Sequence, residues 1–208
     1  MLGSVPADRS ARGESAAPAR PLRDADATRQ RLLEAATAEF AVHGIAGARV
    51  DRIATAAQAN KAQIYHYFGS KEGLFDAVLG AHANVATAEE YFDADDLPGT
   101  AGRLFDQFDS RPDLARLATW YRLERAGSER SIGPIMAANE AKIAAITLAQ
   151  RQGSVTDTFP PDVLLGLVIT LAMAWVTLPP EFENPANAHS TGQRREFVIE
   201  SVRRLIAP

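Results

Sequence analysis

Five hydrogen-bond donors fall within seven positions of this chain: Asn60, Lys61, Gln63, Tyr65 and His66. None stands beside a nucleophile or a second base at a catalytic spacing. What such a set can do is donate to anionic oxygens and to the polar edges of nucleobases. Ala62 sits among them, small enough to permit close approach. Cations flank the run: Arg49 before it and Lys71 after it, each able to meet a phosphate.

Those side chains need short helices to aim them. Residues 50–68 read VDRIATAAQANKAQIYHYF. Val50, Ile53, Ala54 and Ala57 keep helical spacing, and so do the apolar Ile64 and Phe68, which should face a core. Asn60 is a strong N-cap for a helix over Lys61–Tyr67. A turn at Gln58–Asn60 then makes a helix-turn-helix. Its first helix crosses a nucleic-acid backbone and its second enters a major groove. Upstream, a helix is expected from Asp26 to His43, with Gly44 as its stop. Downstream, Ser70 caps a helix reaching about Tyr91, broken by the acidic run Asp93–Asp96 and by Pro98 and Gly99.

The rest of the chain is also read as helical, with spans near 100–109, 112–127, 132–152, 161–178 and 191–206. Pro112, Pro134 and Pro161 fall near helix starts, where proline is tolerated. Residues 179–190 should form a loop. The division expected is a disordered arm over 1–24, a helix-turn-helix domain over 25–82 and a larger helical domain over 83–208.

The stretches TRQRLLEAATAEFAVHG and VDRIATAAQANKAQIYHYFGSKEGLF resemble the N-terminal domain of TetR-family regulators over about Thr28 to Val78. IYHYFGSKEGLF is the most specific part. The resemblance implies an all-α fold of about nine helices, with a three-helix DNA-binding domain followed by a ligand-binding and dimerisation domain. It implies a homodimer on a palindromic double-stranded operator, mostly repressing, and released by a small molecule. Carried over by position, Lys61, Ala62 and Gln63 would meet bases or nearby phosphates, while Tyr65, His66 and Lys71 would hold the backbone. Two positions depart from the pattern. Gln58 stands where the turn commonly has glycine, and a left-handed backbone there costs a non-glycine residue about 1–2 kcal/mol. Ala48 and Arg49 stand where a hydroxyl commonly caps the second helix.

Val163–Leu178, VLLGLVITLAMAWVTL, is apolar nearly all round and must be buried on several sides. At 16 residues it is shorter than the roughly 20 of a membrane span. With the last helix it should make a dimer interface through Leu167, Leu171, Trp175, Phe197, Val202 and Leu205. An effector pocket among the middle helices is expected from Phe105, Phe108, Trp120, Tyr121, Met136, Met173 and Trp175, with Glu124 or Asn139 as polar anchors.

Composition limits the alternatives. With 208 residues, 46% hydrophobic, the chain can bury a real core. It has no cysteine, hence no disulfide or thiolate metal site. A reducing cytoplasm fits, and residues 1–25 lack the apolar run of a signal peptide. The net charge of −4 argues against a nucleic-acid binder taken alone. Its distribution does not: the deficit lies after residue 82, and residues 49–73 carry four basic against two acidic side chains. No nucleophile elbow, zincin motif or phosphate-cradling glycine loop occurs. His43, His66, His82 and His189 lack metal-ligand spacing, although His82 and His189 could meet in space. No enzyme, cofactor or metal is expected. The rival reading is a helical sensor or adaptor without DNA binding.

Overall fold

A computed structural model describes residues 20–85, 92–126, 132–182 and 188–207. Nine α-helices occur among them: α1 (Arg20–Gly47), α2 (Val50–Ala56), α3 (Lys61–Phe68), α4 (Lys71–Val85), α5 (Leu97–Ser110), α6 (Pro112–Arg125), α7 (Gly133–Gln152), α8 (Pro161–Thr177) and α9 (Thr191–Leu205). A 3-10 turn, Pro180–Phe182, follows α8, and no strand occurs among the described residues. The fold is all-α, as expected.

Local chemistry explains the ends. Proline stands in the first turn of α5, α6, α7 and α8, where its missing N–H costs nothing. Both α3 and α9 open with reciprocal capping boxes, Asn60 with Gln63 and Ser190 with Gln193. The first helix starts earlier than Asp26. Residues 20–24, expected in a disordered arm, already belong to α1, because Pro21 is tolerated in a first turn and the run after it favours a helix. Residues 1–19 lie outside the described residues, as do 86–91, where α4 is expected to continue.

Gly44 ends the straight part of α1. Its backbone (φ 64°, ψ −175°) lies in a region essentially closed to other residues. The turn after it, Ile45–Gly47, leads into α2.

Two hydrophobic cores form. The first joins Leu32, Phe40, Ile53, Ile64, Leu74 and Phe75 from α1–α4, with Phe40 and Phe75 edge to face at 5.1 Å. The second joins α5, α7, α8 and α9 through Phe105, Ile146, Leu164, Val168, Val198 and Val202. Packing does not follow the division expected near residue 82. Leu114 and Leu117 of α6, far beyond it in sequence, are buried in the first core. Helix α6 therefore belongs with the helix-turn-helix as much as with the C-terminal helices.

Candidate nucleic-acid interface and ligand cavity

Helix α3 is short, so its caps decide whether it stands rigidly. Asn60 Oδ1 accepts from Gln63 N–H at 2.9 Å, and Gln63 Oε1 accepts from Asn60 N–H at 3.0 Å. Ile64 is fully buried beneath the helix. The opposite face carries Lys61, Ala62, Tyr65 and His66, all exposed, with Asn60 exposed at its head. Tyr65 is 51% exposed and its ring takes no part in the first core; Tyr67 and Phe68 pack there instead.

The turn before α3 keeps the left-handed backbone that glycine usually supplies. Gln58 has φ 51°, the one positive φ at a non-glycine position among the described residues. Arg31 Nε of α1 donates to the Ala57 carbonyl at 3.1 Å and pins the turn from outside.

The missing hydroxyl cap on α2 has a replacement. Arg49 is the N-cap residue but makes no side-chain cap. Its N–H donates to Glu39 Oε1 of α1 at 2.8 Å, and Arg52 Nε donates to the same oxygen at 2.8 Å. Burial of Glu39 pushes its carboxyl up, but the bonds from Arg52 and from the Arg49 backbone outweigh it, leaving the group below the usual carboxylate range. Sequence reasoning misses Glu39 because it lies ten residues upstream, outside the window in which caps are sought.

The cations have protein partners. Lys61 Nζ lies 2.5 Å from Asp51, and both side chains are more than half exposed. Lys71 does not reach outward as a free clamp. Its Nζ donates to the carbonyls of Ala46 and Ala48 at 3.4 and 3.3 Å, because those groups are left unpaired where the helical path breaks after Gly44. Arg49 stays exposed at the start of α2.

Behind the helix-turn-helix, α6 grips α1 and α4. Trp120 Nε1 donates to the Ala41 carbonyl at 3.3 Å, and Glu124 Oε1 accepts from Ile45 N–H at 2.9 Å. Arg125 donates to Asp76 of α4 at 2.7 Å. A Cβ on Gly44 would come within 2.5 Å of Glu124 Oε1 and 2.8 Å of the Trp120 ring. Trp120 and Glu124, expected in a pocket, instead form this junction, and Tyr121 packs against the first core.

A cavity of about 200 Å³ lies between α4, α5, α6, α7 and α8. Its wall is mainly apolar, with Leu79, Leu104, Phe108, Leu117, Val168 and Ile169, and its polar lining is His82, Thr100, Gln107, Asn139 and Lys142. Phe108 and Asn139 are the two expected pocket residues that border it. Phe105 is not on the wall; it is 2% exposed inside the second core. Met136 points the other way and is 47% exposed, since Ile135, Ala138, Asn139 and Lys142 define the cavity face of α7. Met173 and Trp175 do not border it, Trp175 lying 6.4 Å from the Phe197 ring. Burial lowers the His82 imidazole, aided by Arg111 and opposed by Asp113. His82 and His189 have separate surroundings, His189 meeting the Phe197 ring edge-on.

On α8 and α9, Leu167, Leu171, Trp175 and Leu205 are half-buried and Phe197 is 45% exposed. Val202 is fully buried within its own second core, because it faces inward between Val198 and Leu205. It cannot meet a partner subunit.

Two family descriptions match the chain: "Bacterial regulatory proteins, tetR family" over residues 32–78, and "Tetracyclin repressor-like, C-terminal domain" over residues 96–204. The chain belongs to the TetR family. It is a DNA-binding, helix-turn-helix transcriptional regulator. The HTH-type transcriptional repressor SCO4008 of Streptomyces coelicolor is 37% identical over 88% of this chain and 97% of its own. The crystal structure of the transcriptional regulator SCO4942 from the same species is 40% identical, covers 86% of this chain and 98% of its own, and gives a TM-score of 0.73. FadR of Bacillus subtilis, solved with stearoyl-CoA, shares the fold at 16% identity and a TM-score of 0.63, over 83% of this chain and 96% of its own. TetR-family regulators are generally not enzymes. Among the described residues no helix is long and apolar enough to cross a membrane.

Proposed function

We propose that this regulator is a homodimeric repressor that reads a palindromic operator through two copies of α3 and leaves it when a small molecule fills the cavity. One observation carries the reading. The capped α3 presents Lys61, Ala62, Tyr65 and His66 together on its one exposed face. Lys61, Ala62 and Gln63 address base edges; Tyr65, His66, Arg49 and Lys71 hold phosphates. The repressor sign has support in the similarity to SCO4008.

Residues 25–82 supply the reading head, and residues 83–208 supply effector binding and dimerisation. Few side chains reach bases from one head, so two heads are needed for specificity. Leu167, Leu171, Trp175, Phe197 and Leu205 of α8 and α9 form the dimer face. An effector pressing on α6 acts on both grips, Glu124 on α1 and Arg125 on α4, and so changes the spacing of the two α3 helices.

Selection of bound duplexes from a random pool tests this. The expected product is a two-fold symmetric consensus. Recovery of unrelated sequences, or none above background, would favour the adaptor reading.

A further inference from the structure

The cavity holds one group that an apolar interior disfavours. Lys142 lies at mid-length of α7 and is 8% exposed. Among the described residues its ammonium group makes no hydrogen bond and no ion pair; it lies over the face of the Phe92 ring, with Nζ 5.8 Å from the centroid. No Asp or Glu of the described residues borders the cavity. Burial alone pushes the Lys142 ammonium below the usual lysine range. An unpaired buried cation is costly unless something supplies the opposite charge.

The helix phase brings help for that charge. Asn139 stands one turn before Lys142 on the same face, and Gln107 approaches from α5. Neither side-chain amide has a hydrogen-bond partner among the described residues, so both are available to a guest. Around them the wall is hydrocarbon. Cavities of about 150 Å³ hold a benzene ring, so about 200 Å³ suits a guest of roughly 8–12 non-hydrogen atoms. A multiply charged head group would meet one cation and no further compensation.

We propose that the cavity selects a small apolar acid, its single carboxylate seated on Lys142 and its hydrocarbon body against Leu104, Phe108 and Val168. The inference rests on reading the cavity as the effector site, and it adds the chemical class of the effector. Asn139 and Gln107 donate to the remaining carboxylate lone pairs. Neutral and cationic molecules of equal shape are rejected, the first by leaving Lys142 uncompensated and the second by like-charge repulsion.

Calorimetry on the full-length protein with two matched sets tests it: 4-phenylbutanoate, its amide and 4-phenylbutylamine, then octanoate, octanamide and octylamine. The acids should bind about tenfold to a hundredfold tighter than their amides, and the amines should not bind. Lys142→Met should remove that advantage while melting at a higher temperature, since it deletes a buried charge that has no ion pair among the described residues. Lys142→Arg should keep the preference for acids. An amide or amine binding as well as its acid, acid binding unchanged in Lys142→Met, or no acid binding at all would overturn the assignment. Fluorescence anisotropy with the selected duplex separates this from the effector reading. Lys142-dependent acid binding that leaves DNA affinity unchanged upholds the ligand class and overturns the effector role. Release by an amine does the reverse.

Discussion

The cations of the DNA-facing helices and the cation inside the second domain are held in opposite ways. Lys61 has Asp51, Arg52 has Glu39 and Lys71 has two carbonyls, all near the surface. Among the described residues Lys142 has an aromatic face and no ion pair or hydrogen bond, and it is buried. Exposed pairs contribute about 0–1 kcal/mol, so a phosphate can replace the protein partner at little cost. A buried lone charge cannot be exchanged in that way. It stays uncompensated until an anion enters. The outer cations are placed for reversible handover, and the inner one makes binding conditional on the charge of the guest. Helix α6 lies between the two regions and touches both.

The largest effect should come from breaking the junction between them. Gly44→Ala places a Cβ against Glu124 and Trp120 at a backbone conformation alanine disfavours. It should cost about 3 kcal/mol or more, seen as a lower denaturant midpoint with an unchanged slope. Next is a change confined to the reading face. Gln63→Glu keeps an acceptor for Asn60 N–H but removes the amide donors. Thermal stability should hold, while operator affinity falls by about 1–3 kcal/mol with altered choice at one base position. An equal loss on every sequence would move Gln63 from reading to backbone contact.

Glu39→Ala removes the acceptor that caps α2 and should cost about 1 kcal/mol near pH 7. The Glu39 carboxyl is lowered in the folded protein. Its stabilisation is therefore complete above the unfolded carboxylate range and fades as pH falls through the folded value. The gap between parent and variant in urea titrations should close in acid; a constant gap would mean that the charge of Glu39 is idle. The smallest effect is a gain. Gln58→Gly relieves the left-handed turn but adds unfolded-state freedom, for a net stabilisation of about 0.5–1 kcal/mol in the same titration.

Much of this is legible in the sequence because it is local. Helix periodicity, the Asn60 cap and the Gly44 stop each lie within a few residues, and the helix-turn-helix sequence is specific enough to identify the family. Gln58 is expected to strain the turn, and its backbone is left-handed. What escapes depends on contacts between distant segments. The α2 cap comes from α1, and Lys71 turns back to carbonyls exposed by the break after Gly44. Trp120 and Glu124 look like pocket residues because aromatic and acidic side chains on a middle helix carry no mark of which core they join. Lys142 is easily passed over because lysine is expected in water. Its phase with Ile135, Ala138 and Asn139 is the signal that could place it inside.

The central claim is that Arg49, Lys61 and Lys71 meet phosphates on a specific duplex, Lys61 and Lys71 giving up their protein partners to do so. Anisotropy titrations of the selected duplex at increasing salt test it most directly. Arg49, Lys61 and Lys71 from both protomers give a slope of log affinity against log salt near about −5, with a scrambled duplex bound far more weakly. A slope near zero, or equal affinity for the scrambled duplex, would contradict the account.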